Sequence, residues 1–226
     1  MLQLALFDLD HTLLPLDSDY AWGEFTIAMG WTDAETFKRR NDAFYAQYQT
    51  GTLDVDAYVR FATEAMRQRD AATADAARAR FLQEVIEPAI RPEALDLVRE
   101  HQSSGDALVI VTATNEWVTR PIAERFGIAD LIAVRLQRDA AGRATGAIDG
   151  VPSFGAGKVD RVAEWLAARG LTWADAHITF YSDSFNDLPL LERAQEPVAT
   201  NPDARLRDIA AHRNWRVLDL FKNNHR

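Results

Sequence analysis

The chain has 226 residues, 47% of them hydrophobic, enough to bury a full core as one large domain or as a core carrying an insert. Its 34 acids against 25 Lys and Arg give a net charge of -9, which argues against nucleic acid or an anionic membrane as partner. There is no cysteine, which excludes disulfides, thiolate metal sites and a cysteine nucleophile; no leader pattern or membrane-length apolar run occurs either, so a cytoplasmic protein is expected.

From Met1 to Phe7 an apolar run, interrupted only by Gln3, reads as a buried parallel strand. It stops at Asp8 and Asp10, which a period of two places on one side of an extended chain. Open α/β sheets bind ligands at that edge. Two carboxylates so close repel each other unless a cation compensates, and Mg2+ with one or two carboxylates is the usual arrangement beside phosphate; acidic punctuation of a turn is the plainer alternative.

The pattern from Asp17 to about Glu87 is helical throughout. Trp22, Phe25, Ile27 and Met29 recur at helical spacing, followed by Phe37, Phe44, Tyr45 and Tyr48. Thr32 and Glu35 suggest a capping box, with Gly51 ending that second helix. A third helix carries Tyr58, Val59, Ala62 and Met66, and a fourth spans about 73–85 before Glu87-Pro88 breaks it. These residues predict an all-helical domain, 16–88, inserted into a core of 1–15 and 89–226.

After Pro92, helix and strand alternate. A helix over 92–102 leads through Gly105 into a strand over 107–112, followed by a helix over 117–126, a strand over 131–136 and a hairpin about Ala141-Gly142. A helix from near Lys158 to Ala168 precedes a strand over 177–182. The remainder reads as a short helix (188–193), a strand (197–200), a helix (204–213) and a last strand (215–218). Repeated strand then helix means an α/β fold with a parallel sheet covered on both faces.

Polar residues end the central strands. Thr112, Ala113 and Thr114 turn into a helix, offering a hydroxyl and free backbone N–H groups to an anion, or simply a helix cap. The run SDSFND puts Asp183 and Asp187 directly after a buried strand. Lys158, in GAGK at a helix start, opposes the helix dipole, so a phosphate and nearby carboxylates are suitable partners. The five histidines show no zinc spacing.

The set DLDHT (8–12), the strand ending in Thr112, Lys158 and SDSFND (182–187), in that order, resembles the haloacid-dehalogenase-like superfamily. The helical insert is similar to the C1-type cap of its phosphoserine-phosphatase-like branch. The resemblance implies a Rossmann-like core, Mg2+ as cofactor and an aspartyl-phosphate intermediate. It makes Asp8 the nucleophile and Asp10 the general acid and base. It assigns the metal to Asp8, the Asp10 carbonyl and Asp183, with Asp187 orienting water or Lys158. Thr112 and Lys158 would bind the transferring phosphoryl oxygens, Ala113 and Asn186 would line the substrate, and Thr12 would hold the turn after the nucleophile, whereas His11 fills a variable position.

The chain departs from phosphoserine phosphatases at Thr112-Ala113-Thr114 and Ser182-Asp183-Ser184. Where those enzymes carry a carboxylate-binding arginine in the cap, an ungapped match puts Ala62, with Arg60 nearby. Asp17 and Asp19, with Trp22 one turn on, suggest an acidic and aromatic entrance for a cationic group, or caps of the first helix. The stretches LDSDYAWGEF, SDSFNDLPLL and TGAIDG are similar to a sub-branch that includes histidinol-phosphate phosphatases. The expected activity is hydrolysis of a small amino-acid-like phosphorylated metabolite. A phosphotransferase or mutase, and a non-catalytic regulatory module, are the alternatives.

Overall fold

The computed structural model describes residues 1–221. Its strands are β1 (Leu2–Phe7), β2 (Ala107–Asn115), β3 (Asp130–Val134), β4 (Leu136–Arg138), β5 (Ala144–Ile148), β6 (Ala176–Ser182), β7 (Glu196–Thr200) and β8 (Arg216–Leu218). Six of them form one sheet in the order β3-β2-β1-β6-β7-β8, every ladder parallel. Parallel strands need crossovers, and helices supply them on both faces. Leu4, Ala5, Leu6 and Phe7 of β1 are therefore all buried.

Helices α1 (Ser18–Ala28), α2 (Ala34–Thr50), α3 (Val55–Ala62), α4 (Glu64–Arg67), α5 (Ala71–Phe81) and α6 (Glu87–Ala89) lie between β1 and α7 (Pro92–Ser104). Then come α8 (Glu116–Arg125), α9 (Ala156–Ala167), α10 (Leu188–Leu191) and α11 (Ala204–Arg213). One face of the sheet packs Leu4, Leu6, Val109 and Phe180 against Val162 and Leu166 of α9 and Leu206 of α11. The other packs Ala5, Phe7 and Ile110 against α7 and α8, and its apolar cluster continues into the insert through Trp22, Phe25 and Phe81. Beneath β1, the Tyr181 ring stacks on Phe7 with centroids 5.0 Å apart. The His101 ring bridges Tyr181 at 2.8 Å and Asp106 at 2.6 Å, which satisfies a buried hydroxyl.

Several boundaries differ from the sequence reading. α2 is capped by Asp33, which accepts from Thr36 N at 2.8 Å, not by Thr32, whose hydroxyl bonds Thr26 Oγ1 at 2.9 Å. Gly51 does end α2, at φ 72. The third helix breaks at Thr63, whose hydroxyl bonds back to the Val59 carbonyl at 2.7 Å. Pro88 does not break the chain. A π turn over Leu82–Ile86 precedes it and places it in the first turn of α6, where a missing N–H costs nothing. The strand expected over 131–136 divides at Arg135, whose carbonyl accepts from Asp149 N at 2.9 Å and whose Nε donates to the Asp149 carbonyl at 3.3 Å, and the chain leaves the sheet for the antiparallel β4–β5 hairpin. β2 runs on through Thr114 to Asn115, and Asn115, not Thr112, caps α8.

Candidate active site

The C-terminal ends of β1, β2 and β6 deliver the polar residues to one edge. β1 hands on to Asp8, whose N–H donates to the Tyr181 carbonyl at 2.9 Å. The chain then turns through His11, exposed and left-handed at φ 57, so that Leu13 N and Leu14 N both reach the Leu9 carbonyl at 2.9 Å. Asn201 secures this turn by donating to the His11 carbonyl at 2.9 Å. Thr12 is fully buried, and its hydroxyl donates to Asp183 Oδ1 at 3.2 Å, tying the turn after Asp8 to the end of β6.

Lys158, 2% exposed in the first turn of α9, donates to Asp8 Oδ1 at 2.9 Å and to Asp187 Oδ2 at 2.7 Å. Burial alone would lower the lysine, but the charges of Asp187 and Asp8 outweigh it and hold it protonated. Asp187 Oδ2 also accepts from the Ser182 hydroxyl at 2.7 Å. With that oxygen taken by Ser182 and Lys158, Asp187 is placed to orient the lysine, one of the two roles that the family resemblance implies for it. Burial also drives Asp8 upward despite Lys158, and it drives Asp183 well above the ordinary carboxylate range, reinforced by the charge of Asp8.

Asp10 has a different shell. Its Oδ1 accepts from Ser18 N at 2.9 Å and its Oδ2 from the Thr114 hydroxyl at 2.7 Å. Burial, then the charge of Asp17, push it up to about 6, in the range where a carboxyl can both give and take a proton near neutrality. The side chain thus faces α1 and β2, away from Asp8's lysine. Thr112, 1% exposed, accepts from Thr114 N at 3.1 Å and keeps its own hydroxyl proton for another acceptor, with half-buried Ala113 between them.

Of the four carboxylates at this edge, Asp8 and Asp187 pair with the Lys158 ammonium, whereas Asp10 is bound by Ser18 and Thr114 and Asp183 accepts from Thr12. Among the described residues no three His, Cys, Asp or Glu side chains converge in a chelating group. The donors present, carboxylate and carbonyl oxygens with no sulfur or imidazole, are of the kind a hard cation such as Mg2+ takes one or two at a time beside water and phosphate, and they form no all-protein cage.

The expected entrance is only partly assembled. Asp17 is half-buried and caps α1, accepting from Tyr20 N at 2.9 Å. Asp19 is buried, accepts from the Asn115 amide at 3.0 Å, and is raised well above the ordinary range by burial and then by Asp17 and Asp10, with the Tyr58 hydroxyl beside it. Trp22 corrects the sequence reading. Its ring is 1% exposed, packed among Phe25, Trp31, Phe81 and Trp117, and presents no open face to a cation at the entrance. A cavity of about 180 Å³ beside it is walled by α1–α4 and includes none of Asp8, Asp10, Asp183 or Lys158. Arg60 is exposed on α3, and among the described residues no hydrogen bond or ion pair joins its guanidinium to these acids. Asn186 faces the insert, where its amide donates to the Tyr48 carbonyl at 3.1 Å.

Ser18, Thr114, Asn115, Ser182 and Tyr48 were missed from sequence. Only Thr114 carried a signal, since an extended chain puts it on the same side as Thr112.

A family model of haloacid dehalogenase-like hydrolases matches residues 5–192. The chain is 41% identical to a histidinol-phosphatase of Neisseria meningitidis serogroup C (strain 8013), covering 97% of this chain and 100% of that protein. It is 30% identical to the phosphoserine phosphatase SerB1 of Mycobacterium tuberculosis (strain ATCC 25618 / H37Rv), over 96% of this chain and 70% of that one. A crystal structure of a protein with unknown function from Bordetella pertussis Tohama I superposes with a TM-score of 0.91 at 45% identity, covering 98% of this chain and all of the other. A substrate-bound phosphoserine phosphatase shares the fold, with a TM-score of 0.67 at 17% identity over 97% of this chain and 93% of its own. With its motifs in order on one sheet edge and relatives matching along nearly its whole length, the chain belongs to the haloacid dehalogenase-like hydrolases and is an enzyme of their phosphatase branch.

Proposed function

We propose that the protein is a Mg2+-dependent phosphatase that hydrolyses a small amine-bearing phosphomonoester, histidinol phosphate foremost, through an aspartyl-phosphate formed on Asp8. The observation that carries this reading is the contrast between Asp8, bound to Lys158, and Asp10, bound to Ser18 and Thr114 and raised to about 6. One carboxylate is set up to attack and the other to move protons.

In the first half-reaction Asp8 attacks phosphorus, the ester P–O bond breaks, and Asp10 gives its proton to the departing alcohol. In the second, Asp10 takes a proton from water as the water oxygen attacks phosphorus; the aspartyl P–O bond breaks, inorganic phosphate leaves and both acids are restored. Lys158 and the Thr112 hydroxyl meet the phosphoryl oxygens where negative charge is concentrated. Mg2+ held by Asp8, Asp183 and the Asp10 carbonyl would add positive charge at the same oxygens. Residues 16–88 act as a cap on a core of 1–15 and 89–226, closing over the site to exclude water.

The substrate class rests on the likeness to a histidinol-phosphatase over nearly the whole chain and on Asp17, a half-buried carboxylate beside Asp10. The position matched to the carboxylate-binding arginine holds Ala62, which disfavours phosphoserine. Phosphate release from histidinol phosphate, phosphoserine and sugar phosphates, with Mg2+ and with Asp8→Asn as the blank, tests the reading. Turnover by Asp8→Asn would refute the covalent scheme. Asp17→Ala is expected to raise KM for the amine substrate more than for a neutral aryl phosphate, and equal effects would remove Asp17 from recognition.

A further inference from the structure

The C-terminal turn of α2 reaches across the cleft onto the loop that follows β6. The Tyr48 hydroxyl donates to Ser184 Oγ at 2.7 Å, and Asn186 donates back to the Tyr48 carbonyl at 3.1 Å. Gly51, the left-handed residue ending α2, lies so close that a Cβ there would stand 3.5 Å from Asn186 Oδ1. The Tyr48 ring also meets Phe154, with centroids 6.2 Å apart, in the segment leading to α9 and Lys158. Ser184 and Asn186 are 3% and 8% exposed and lie between Asp183 and Asp187 in sequence.

From Tyr48 a path of hydrogen bonds, crossing Ser184 from its hydroxyl to its backbone N–H, runs to Asp8. Ser184 N donates to Ser182 Oγ at 3.2 Å, and the Ser182 hydroxyl donates to Asp187 Oδ2 at 2.7 Å. Lys158 then bridges Asp187 at 2.7 Å and Asp8 at 2.9 Å. The links from Ser184 to Asp8 are buried, where water offers little substitute, and the Tyr48 bond at their head is partly buried.

We propose that Tyr48 is a positioning residue: through Ser184, Ser182, Asp187 and Lys158 it sets the orientation of Asp8, so that the nucleophile is fully aligned only while α2 sits on the loop over 182–187. The inference rests on the proposed phosphatase reading. It does not require Tyr48 to touch substrate.

The test is a double-mutant cycle on the full chain with Mg2+ and p-nitrophenyl phosphate, joined to amide hydrogen exchange. Tyr48→Phe keeps the ring against Phe154 and removes the hydroxyl, whereas Ser184→Ala removes its acceptor. Each is expected to lower kcat about fivefold, the worth of one net hydrogen bond, with KM nearly unchanged. The double variant is expected to lose no more than either single one, since both cut the same chain. Exchange at residues 182–187 should quicken in Tyr48→Phe. Tyr45→Phe, 56% exposed on the same helix, serves as the control and should match wild type. Losses that multiply, a loss confined to KM, or unchanged exchange over 182–187 would each overturn the proposal. If the wild type releases phosphate from no phosphomonoester, the phosphatase reading fails, while exchange in Tyr48→Phe still decides whether Tyr48 holds the loop.

Discussion

Asp8 and Asp10 leave the same strand one residue apart, and their neighbours divide the work between them. Lys158 takes one oxygen of Asp8, whereas Asp10 is gripped at both oxygens by groups from α1 and β2. Asp10→Asn preserves the acceptor for Ser18 N but carries no transferable proton. It is expected to lower kcat/KM for an alkyl phosphate by roughly 10²–10⁴-fold, and much less for p-nitrophenyl phosphate, whose leaving group departs without a proton. The ratio of the two losses is the measurement. Asp19 gives a stability prediction of definite sign. Its folded pKa lies well above the ordinary 3.8, so the folded state binds the extra proton, and stability falls as pH rises from about that value toward the folded one. Asp19→Asn cannot ionise and keeps an acceptor for the Asn115 amide. Its Tm should match wild type near pH 3 and exceed it at pH 7 and above, as thermal melts across pH would show.

At the level of elements, α9 is placed by glycines as much as by its apolar face. Gly155, at φ 53, starts the helix in the left-handed region, and Gly157 lies so close to the preceding loop that a Cβ would fall 2.2 Å from the Pro152 carbonyl. Gly157→Ala must push the first turn of α9 away from that backbone, and with it Lys158. A loss of roughly 1–3 kcal/mol in denaturant unfolding, typical of overpacking, is expected together with a fall in kcat. The sheet and the three catalytic strand ends were legible because buried parallel strands read as continuous apolar runs and stop at polar residues. Boundaries inside the insert were less so. Thr32 and Asp33 are both good caps, and nothing in the local pattern tells which one the tertiary structure uses. Trp22 was misjudged for the same kind of reason: an aromatic at helical spacing beside two acids reads equally as entrance or as core, and only packing against Phe81 and Trp117 decides.

For the molecule as a whole, an acidic chain gathers Asp8, Asp10, Asp183 and Asp187 at one sheet edge where Lys158 pairs with only two of them, so on the proposed reading its stability is linked to a cation that offsets the rest. Mg2+ should raise Tm with the logarithm of its concentration above Kd, with about 2.7 kcal/mol of stabilisation at a hundredfold excess, and Asp183→Asn should abolish most of that rise. Chelation should stop turnover and return Tm to the metal-free value. The contacts that complete the site were invisible in the sequence because they are long-range: Thr114 and Asp10 are 104 residues apart, and Tyr48 and Ser184 are 136 apart. The central place of β1 has a further consequence, for biosynthesis. β1 hydrogen-bonds residues 107–110 on one side and 176–181 on the other, so this strand, made before both of its partners, has its two edges satisfied only once β6 has been made. Until β6 has left the ribosome, an apolar strand with an open edge must wait in the nascent chain. Refolding from denaturant should accordingly be slow and prone to association, and a chaperone that shelters the first fifteen or so residues would act where the hazard lies.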